Sequence, residues 1–156
     1  MYITRSEYIN LYEEIDEKVF ARLESDAARV MDVHTTGSDN VKKLRLFYPV
    51  NEYDVSAVID CAAKLINTMH IIHQAENSMT GSDAPGLHGR VSSVTSGNES
   101  ISYESGSATV VDEAVKDMSA RRKLYADIVC EYLRGVSDKN GVNLLFKGAY
   151  PRRYLC

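Results

Sequence analysis

The chain of 156 residues lacks tryptophan, has only three prolines, and contains no long hydrophobic run. A transmembrane helix needs about 20 predominantly apolar residues in succession, whereas the apolar runs here extend over only a few residues. The first residues, MYITRSE, also lack the basic and then apolar pattern of a secretory signal peptide. We therefore expect a protein that is not exported and does not contact a membrane.

Cysteine is scarce as well, and the three that are present, Cys61, Cys130 and Cys156, form no CxxC pair. Two of them fall inside helical patterns, where a free cysteine is usually a small buried hydrophobe. No neighbouring histidine and acid give them the pattern of a thiol nucleophile. An odd number of cysteines without an export signal indicates a reducing compartment.

The sequence also lacks a basic excess, because 22 acidic residues outnumber 18 basic ones and the formal net charge is -4. Such a balance argues against a protein whose main task is to bind nucleic-acid phosphates. A basic cluster does occur in ARRKLY (120–125), but Glu113, Asp117 and Asp127 lie close to it in sequence. We interpret this cluster as a solvated helix face, with nucleic-acid contact as the alternative.

What the sequence does contain is helical periodicity, with apolar residues recurring at three- and four-residue steps. Thr4 and Glu7 form the pattern of a capping box at the start of the first helix. Asn51 is the expected N-cap of the third helix. The predicted helices cover about residues 4–13, 16–33, 51–77 and 109–134.

Four helices with one long connection predict a mainly α fold, a small four-helix bundle in which residues 1–156 form a single domain. Leu23, Ile59 and Val129 lie in the middle of their apolar stripes, so we expect their side chains to be buried in the bundle.

A Gly/Ser-rich insertion, residues 78–108, separates the third and fourth helices, and we predict a long loop or β-hairpin there. Within it, ESISYES (99–105) alternates polar and apolar residues as a strand does. Ile101 and Tyr103 would share one face, and an exposed strand edge favours pairing with another subunit or a partner. A disordered serine-rich loop in the free protein is the alternative.

The extended C-terminal tail, residues 136–156, is apolar and aromatic but has no helical period. We predict that it docks into a partner protein, with arginines adding charge complementarity at the rim. The alternative is that the tail covers its own bundle. The residues expected to contact the partner are Leu144, Leu145, Phe146, Tyr150, Arg152 and Arg153.

Two histidines, His70 and His73, have a spacing that can offer two imidazoles to one metal, with Glu76 a further turn along. His34 and His88 are remote in sequence, so the spacing supplies no complete ligand set. We interpret the pair as ordinary helix residues and predict no metal site. The sequence also contains no phosphate-binding glycine motif and no catalytic constellation, so we expect neither a cofactor nor enzymatic activity.

Six short motifs follow one another along nearly the whole chain. They are T-x-x-EY (4–8), ARVMDVHTTG (28–37), YP (48–49), SGNESISYES (96–105), YLRG (132–135) and LLFKGAY (144–150). In this order they resemble the head-to-tail connector (adaptor) proteins of tailed bacteriophages and prophages, which are small helical proteins located under the portal.

This resemblance implies a structural protein that forms a ring, usually a dodecamer, between the portal protein and the next neck or tail-completion protein. DNA would pass through the channel of the ring without specific binding. The protein would then occur in the neck of the virion, and in the host cytoplasm during assembly. The alternative function is a small helical phage module for regulation or nucleic-acid binding, which would use ARRKLY.

Overall fold

The computed structural model describes residues 1–80, 93–96, 99–102 and 110–154, with side chains described at 1–77 and 110–154. The described chain is mainly helical, which confirms the predicted fold class at that level. A single 3-10 turn, Arg152–Tyr154, follows the last α-helix. The helices are α1 (Arg5–Ile9), α2 (Glu17–Thr35), α3 (Lys43–Leu46), α4 (Glu52–Thr80), α5 (Val110–Lys116) and α6 (Met118–Tyr132).

Helix α4 is the centre of the bundle and contacts α2, α5 and α6. Its middle carries small residues, so neighbouring helices approach it closely, and Cys61 and Ala63 are completely buried. Leu23 of α2 and Val129 of α6 are buried as predicted, whereas Ile59 is only partly buried at the edge of this core.

The segment Glu52–Asn77 of α4 is long and apolar enough to cross a membrane, with a mean hydropathy of 1.4 in its most apolar stretch. The central helix of a soluble bundle has the same composition, and 50% of that stretch is buried inside this protein. The indication of a membrane span is therefore weak, and the absence of membrane contact stays a prediction.

Local capping interactions explain where two helices begin. The Thr4 hydroxyl accepts a hydrogen bond from the Glu7 amide at 3.3 Å, and the Glu7 carboxylate accepts one from the Thr4 amide at 2.7 Å. This is the predicted capping box. At α4, the Asn51 side-chain oxygen accepts a hydrogen bond from the Tyr53 amide at 3.0 Å, which confirms Asn51 as the N-cap.

The predicted helix boundaries need correction at three places. The first helix ends at Ile9 instead of residue 13, and the stretch between the second and third predicted helices contains the short helix α3. The predicted fourth helix is divided at Asp117, which has φ -126° and ψ 120° and accepts a hydrogen bond from the Ser119 amide at 2.8 Å. An aspartate able to cap a new helix therefore interrupts a continuous apolar stripe.

Two strands, β1 (Ser93–Ser96) and β2 (Glu99–Ser102), pair with each other in antiparallel register, with Val94 opposite Ile101. The residues that connect these strands to the helices lie outside the described residues, as does Tyr103. The predicted insertion between the third and fourth helices is therefore not confirmed as a unit.

We expect the stability of this fold to fall at alkaline pH, because its buried tyrosines ionise less readily than exposed ones. Burial raises the pKa of Tyr8 to about 12, and burial with a hydrogen bond to Asp138 raises the pKa of Tyr150 to about 12. An unfolded tyrosine titrates near about 10, so this stability is complete below about pH 10 and is lost as the pH rises towards about 12. Burial lowers the pKa of Lys43 and acts in the opposite sense, but several tyrosines outweigh one lysine.

We therefore expect the urea midpoint to be steady up to about pH 9 and to fall between about pH 10 and 12. Tyr8→Phe should reduce the slope of that fall, because phenylalanine releases no proton. A midpoint that is independent of pH over the whole alkaline range would contradict this linkage.

Candidate assembly surfaces

The C-terminal segment, defined here as residues 136–154, folds back onto its own bundle. Gly135, three residues beyond the end of α6, has a φ of +82°, a conformation that favours glycine, and the chain then reverses direction. Gly141, with a φ of +77°, closes a turn in which the Asp138 amide donates to the Val142 carbonyl at 2.9 Å. The turn brings the rest of the segment against α3.

A buried lysine fastens this segment to α3. Lys43 is only 1% exposed, and its ammonium donates to the carbonyl oxygens of Asn143 at 3.1 Å and Phe146 at 2.5 Å. Burial lowers the pKa of Lys43, since the charged form loses water. Its two carbonyl partners belong to a segment about a hundred residues further along the chain, so the contact fixes tertiary structure.

Tyr150 provides the second attachment. Its ring stacks on Phe47 with 4.6 Å between the ring centroids, and its hydroxyl donates to the buried carboxylate of Asp138. Its backbone amide donates to the carboxylate of Asp39 at 2.7 Å. Asn140 donates to the Tyr150 hydroxyl at 2.9 Å. The polar groups of Tyr150 are therefore satisfied within the chain.

The predicted partner contacts in the tail must be revised for two residues. Leu144 is completely buried and Tyr150 is 3% exposed in the chain's own core, so neither side chain is available to a partner. Leu145 is partly buried against the same core. Partner contact at the other predicted residues of the tail stays a prediction. Three of them, Phe146, Arg152 and Arg153, are exposed.

A first exposed apolar surface lies where α3 leads into α4, and we call it the YP corner. It consists of Leu46, Val50 and Tyr53, which are 58%, 76% and 87% exposed. An exposed apolar cluster of this kind on a small domain is typical of a protein–protein contact. Sequence reasoning missed these residues because they flank a proline turn and belong to no periodic stripe.

A second surface, the acidic corner, surrounds the start of α2. Leu11 is 51% exposed there, among exposed carboxylates of the connection that follows α1. Arg5 pairs with Glu14 at 2.6 Å and Lys18 lies beside the cluster, so the corner keeps an acidic excess. The acidic residues of this corner are Glu13, Glu14, Asp16 and Glu17.

A third surface, the basic groove, lies between the last turns of α2 and the first half of α6. It has a volume of about 530 Å³, and Val33, which is 64% exposed, contributes to its apolar floor. Burial and nearby Lys147 lower the pKa of His34 at one side. The floor is formed by Val30, Val33, Tyr125 and Ala126, and the rim by Arg29, His34, Arg122 and Lys123.

A smaller cavity of about 320 Å³ shares Arg29 and Val33 with the lining of the basic groove. There the Arg45 guanidinium lies 2.7 Å from the carboxylate of Asp32, which also accepts a hydrogen bond from the Tyr2 hydroxyl at 2.5 Å. Asp32 is therefore neutralised by internal partners. Lys42 also lines this cavity, so the basic character extends beyond the groove.

The two helical histidines contact protein groups. His73 lies 3.0 Å from the guanidinium of Arg22, and His70 lies 3.0 Å from the amide of Gln74. The carboxylate of Glu76 pairs with Arg121 at 2.5 Å. Within the described residues, no group of three or more potential ligands could hold a metal ion.

The basic groove was missed because its two sides are distant in sequence. The sequence around Arg29 indicates a solvated helix face, and ARRKLY (120–125) indicates an isolated basic cluster. Only the packing of α6 beside α2 brings them together around an apolar floor. The available signal in the sequence was the apolar residue Val33, which lies one turn beyond Arg29 on the helix face that otherwise carries charged residues.

Comparison of this chain with protein-family models, with curated proteins and with solved structures finds no match.

Proposed function

We propose that this protein is a non-enzymatic subunit of the head-to-tail connector (adaptor) of a tailed phage or prophage. It forms a ring below the portal, joins the capsid to the neck or tail, and leaves a channel for DNA. The observation that carries this proposal is the exposure of apolar side chains on several different surfaces of one small domain.

Those surfaces lie on different elements. Tyr53 lies in the first turn of α4, Leu11 precedes α2, Val33 lies in the last turn of α2, and Phe146, 49% exposed, lies in the C-terminal segment. Single apolar side chains are also exposed on monomers, but groups of them such as the YP corner are typical of interaction sites, and a ring subunit has a neighbour on each side and partners above and below. The distribution therefore favours an assembly subunit over an enzyme with one pocket.

The C-terminal segment supplies the proposed contact with the portal. Its core residues hold it rigidly on α3 and leave Phe146 at the surface, with Arg152 and Arg153 in the following turn. An aromatic anchor on a preordered segment loses little conformational entropy on binding. The arginines would steer the encounter more than they add affinity.

The insertion at 78–108 is the proposed contact with a neighbouring subunit or with the next neck protein. Ile101 lies in strand β2, and an edge strand favours pairing with another chain. Tyr103 follows in the sequence and is part of the same proposed contact. The formal net charge of -4 suits a channel through which DNA passes without being held. No cofactor enters this function, and its place is the virion neck after assembly in the host cytoplasm.

Light scattering and electron microscopy with the purified portal protein test the proposal. We expect rings on the portal in which this protein contributes a mass close to twelve chains of 17.4 kDa. Phe146→Ser should stay folded, as judged by a melting curve that remains cooperative, and should bind the portal at least about tenfold more weakly, since an aromatic anchor is lost. A protein that stays monomeric with and without the portal would contradict the proposal.

The basic groove favours a second candidate, a helical module that binds nucleic acid. Arg29, Arg122 and Lys123 are exposed around it and could approach phosphates. Such a module would bind a short DNA duplex with an affinity that falls steeply with salt. Fluorescence anisotropy should show no saturable binding at physiological salt if the protein is a connector.

A further inference from the structure

We propose that the basic groove of one subunit receives the acidic corner of the next copy of the same chain. This inference rests on the proposed ring and names the two surfaces that close it. Leu11 would enter the apolar floor beside Val33, while Glu13 and Glu17 face Arg122 and Lys123 at the rim.

The two surfaces lie at opposite ends of α2, which has 19 residues. At a rise of about 1.5 Å per residue the helix is about 28 Å long. The corner at Glu17 therefore cannot reach the groove at Val33 within one chain. Two different patches that bind each other across copies form a head-to-tail contact, and such a contact closes into a ring when its rotation allows.

The charges at both surfaces are available for such a contact. Arg122 and Lys123 form no salt bridge within residues 1–77 and 110–154, and Arg29 has only the exposed Asp26 at 3.9 Å. Within the described residues, Glu14 is the one member of the acidic corner that forms a salt bridge, with Arg5. The remaining rim charges are opposite in sign on the two surfaces, so they would steer the copies into one orientation.

The apolar floor distinguishes a protein occupant from nucleic acid. Val30, Val33 and Ala126 lie between the cations, and a protein contact typically has such an apolar centre within a polar rim. Nucleic-acid interfaces are more polar and more uniformly positive. Leu11, exposed within an acidic cluster, has the matching pattern of an apolar centre with carboxylates around it.

Reversal of charge at each surface tests this pairing. The groove variant is R122E/K123E, and the corner variant is E13K/E17K; all four positions are exposed, so both variants should fold. In each variant alone, like charges would face each other at every contact between copies. We expect each to give particles of one 17.4 kDa chain by light scattering, under conditions in which the unchanged protein forms its ring.

An equal mixture of the two variants should form rings again. The groove of each variant is opposite in charge to the corner of the other, so the copies would alternate around the ring. The matched control is K116E/R134E, which changes net charge as much as R122E/K123E does, at exposed positions outside both surfaces. This control should form rings like the unchanged protein, with circular dichroism confirming that every variant is folded.

The outcomes separate the two proposals. If the unchanged protein forms no ring with or without the portal, the connector function fails. If it forms rings and the single-surface variants do too, only the pairing of these surfaces is overturned. Folded variants that stay monomeric when they are mixed would also overturn the pairing. A groove variant that keeps its rings but no longer binds a DNA duplex would overturn it in favour of nucleic acid as the occupant of the groove.

Discussion

A chain that ends at Asn140 should not fold. Truncation removes Leu144 and Tyr150 from the core and exposes the apolar surfaces that they cover. It also removes the two carbonyl acceptors of Lys43, so the contact that fastens the segment to α3 is lost. The loss of a large core side chain costs about 2–5 kcal/mol, and the loss of two such side chains approaches the stability of a small domain.

Far-UV circular dichroism and urea titration measure this effect, and a milder variant keeps it quantitative. Leu144→Ala should lower the free energy of unfolding by about 2–5 kcal/mol. Phe146→Ala, at a half-exposed position two residues on, should lower it by clearly less. A truncated chain that still unfolds cooperatively would instead make the tail peripheral and return Leu144 to the list of possible docking residues.

The tail illustrates what the sequence can and cannot predict here. Its apolar residues are visible in the sequence, and so is their lack of a helical period. Whether they cover their own bundle or a partner depends on Phe47 and Lys43, whose contacts with Tyr150 and Phe146 span about a hundred residues of chain. No local pattern specifies such pairings, so the sequence leaves two alternatives, and for Leu144 and Tyr150 the structure shows burial in the chain's own core.

Helix patterns were predictable because they depend on neighbours in sequence. The burial of Leu23 and Val129 follows from three- and four-residue spacing, and the Thr4–Glu7 capping box follows from two residue types three positions apart. The break at Asp117 was missed because the apolar stripe continues across it. Met118, which follows the break and belongs to that stripe in the sequence, is 57% exposed.

The candidate surfaces divide in the same way. A basic cluster and an acidic cluster are both evident in the sequence, but each alone reads as a solvated helix face. Each cluster becomes a candidate binding surface because an apolar residue beside it is exposed, Val33 in the basic cluster and Leu11 in the acidic one. Only the packing of the helices determines that these two residues stay exposed. Surface function is therefore less predictable here than core structure, since it depends on which residues the fold fails to cover.

Lys43→Met should destabilise the protein by about 2–4 kcal/mol, although methionine fills nearly the same volume. The substitution leaves the carbonyl oxygens of Asn143 and Phe146 in a buried site without a donor. A hydrogen bond from a charged group contributes about 1.5–3 kcal/mol, and a buried acceptor left unpaired costs about 1–3 kcal/mol. The loss is smaller than the sum of these terms, because the charge no longer has to be desolvated.

The neighbouring Lys42 provides the control, because it precedes α3, has an exposed side chain and differs from Lys43 only in position. Lys42→Met should change the free energy of unfolding by less than about 0.5 kcal/mol. Urea titration of both variants at neutral pH gives the comparison. Equal, small effects would show that Leu144 and the Phe47–Tyr150 stack hold the C-terminal segment without the lysine. A large effect at Lys43 alone would show that this buried cation holds the C-terminal segment, and with it Phe146, in an ordered position. No apolar pattern in the sequence indicates that role.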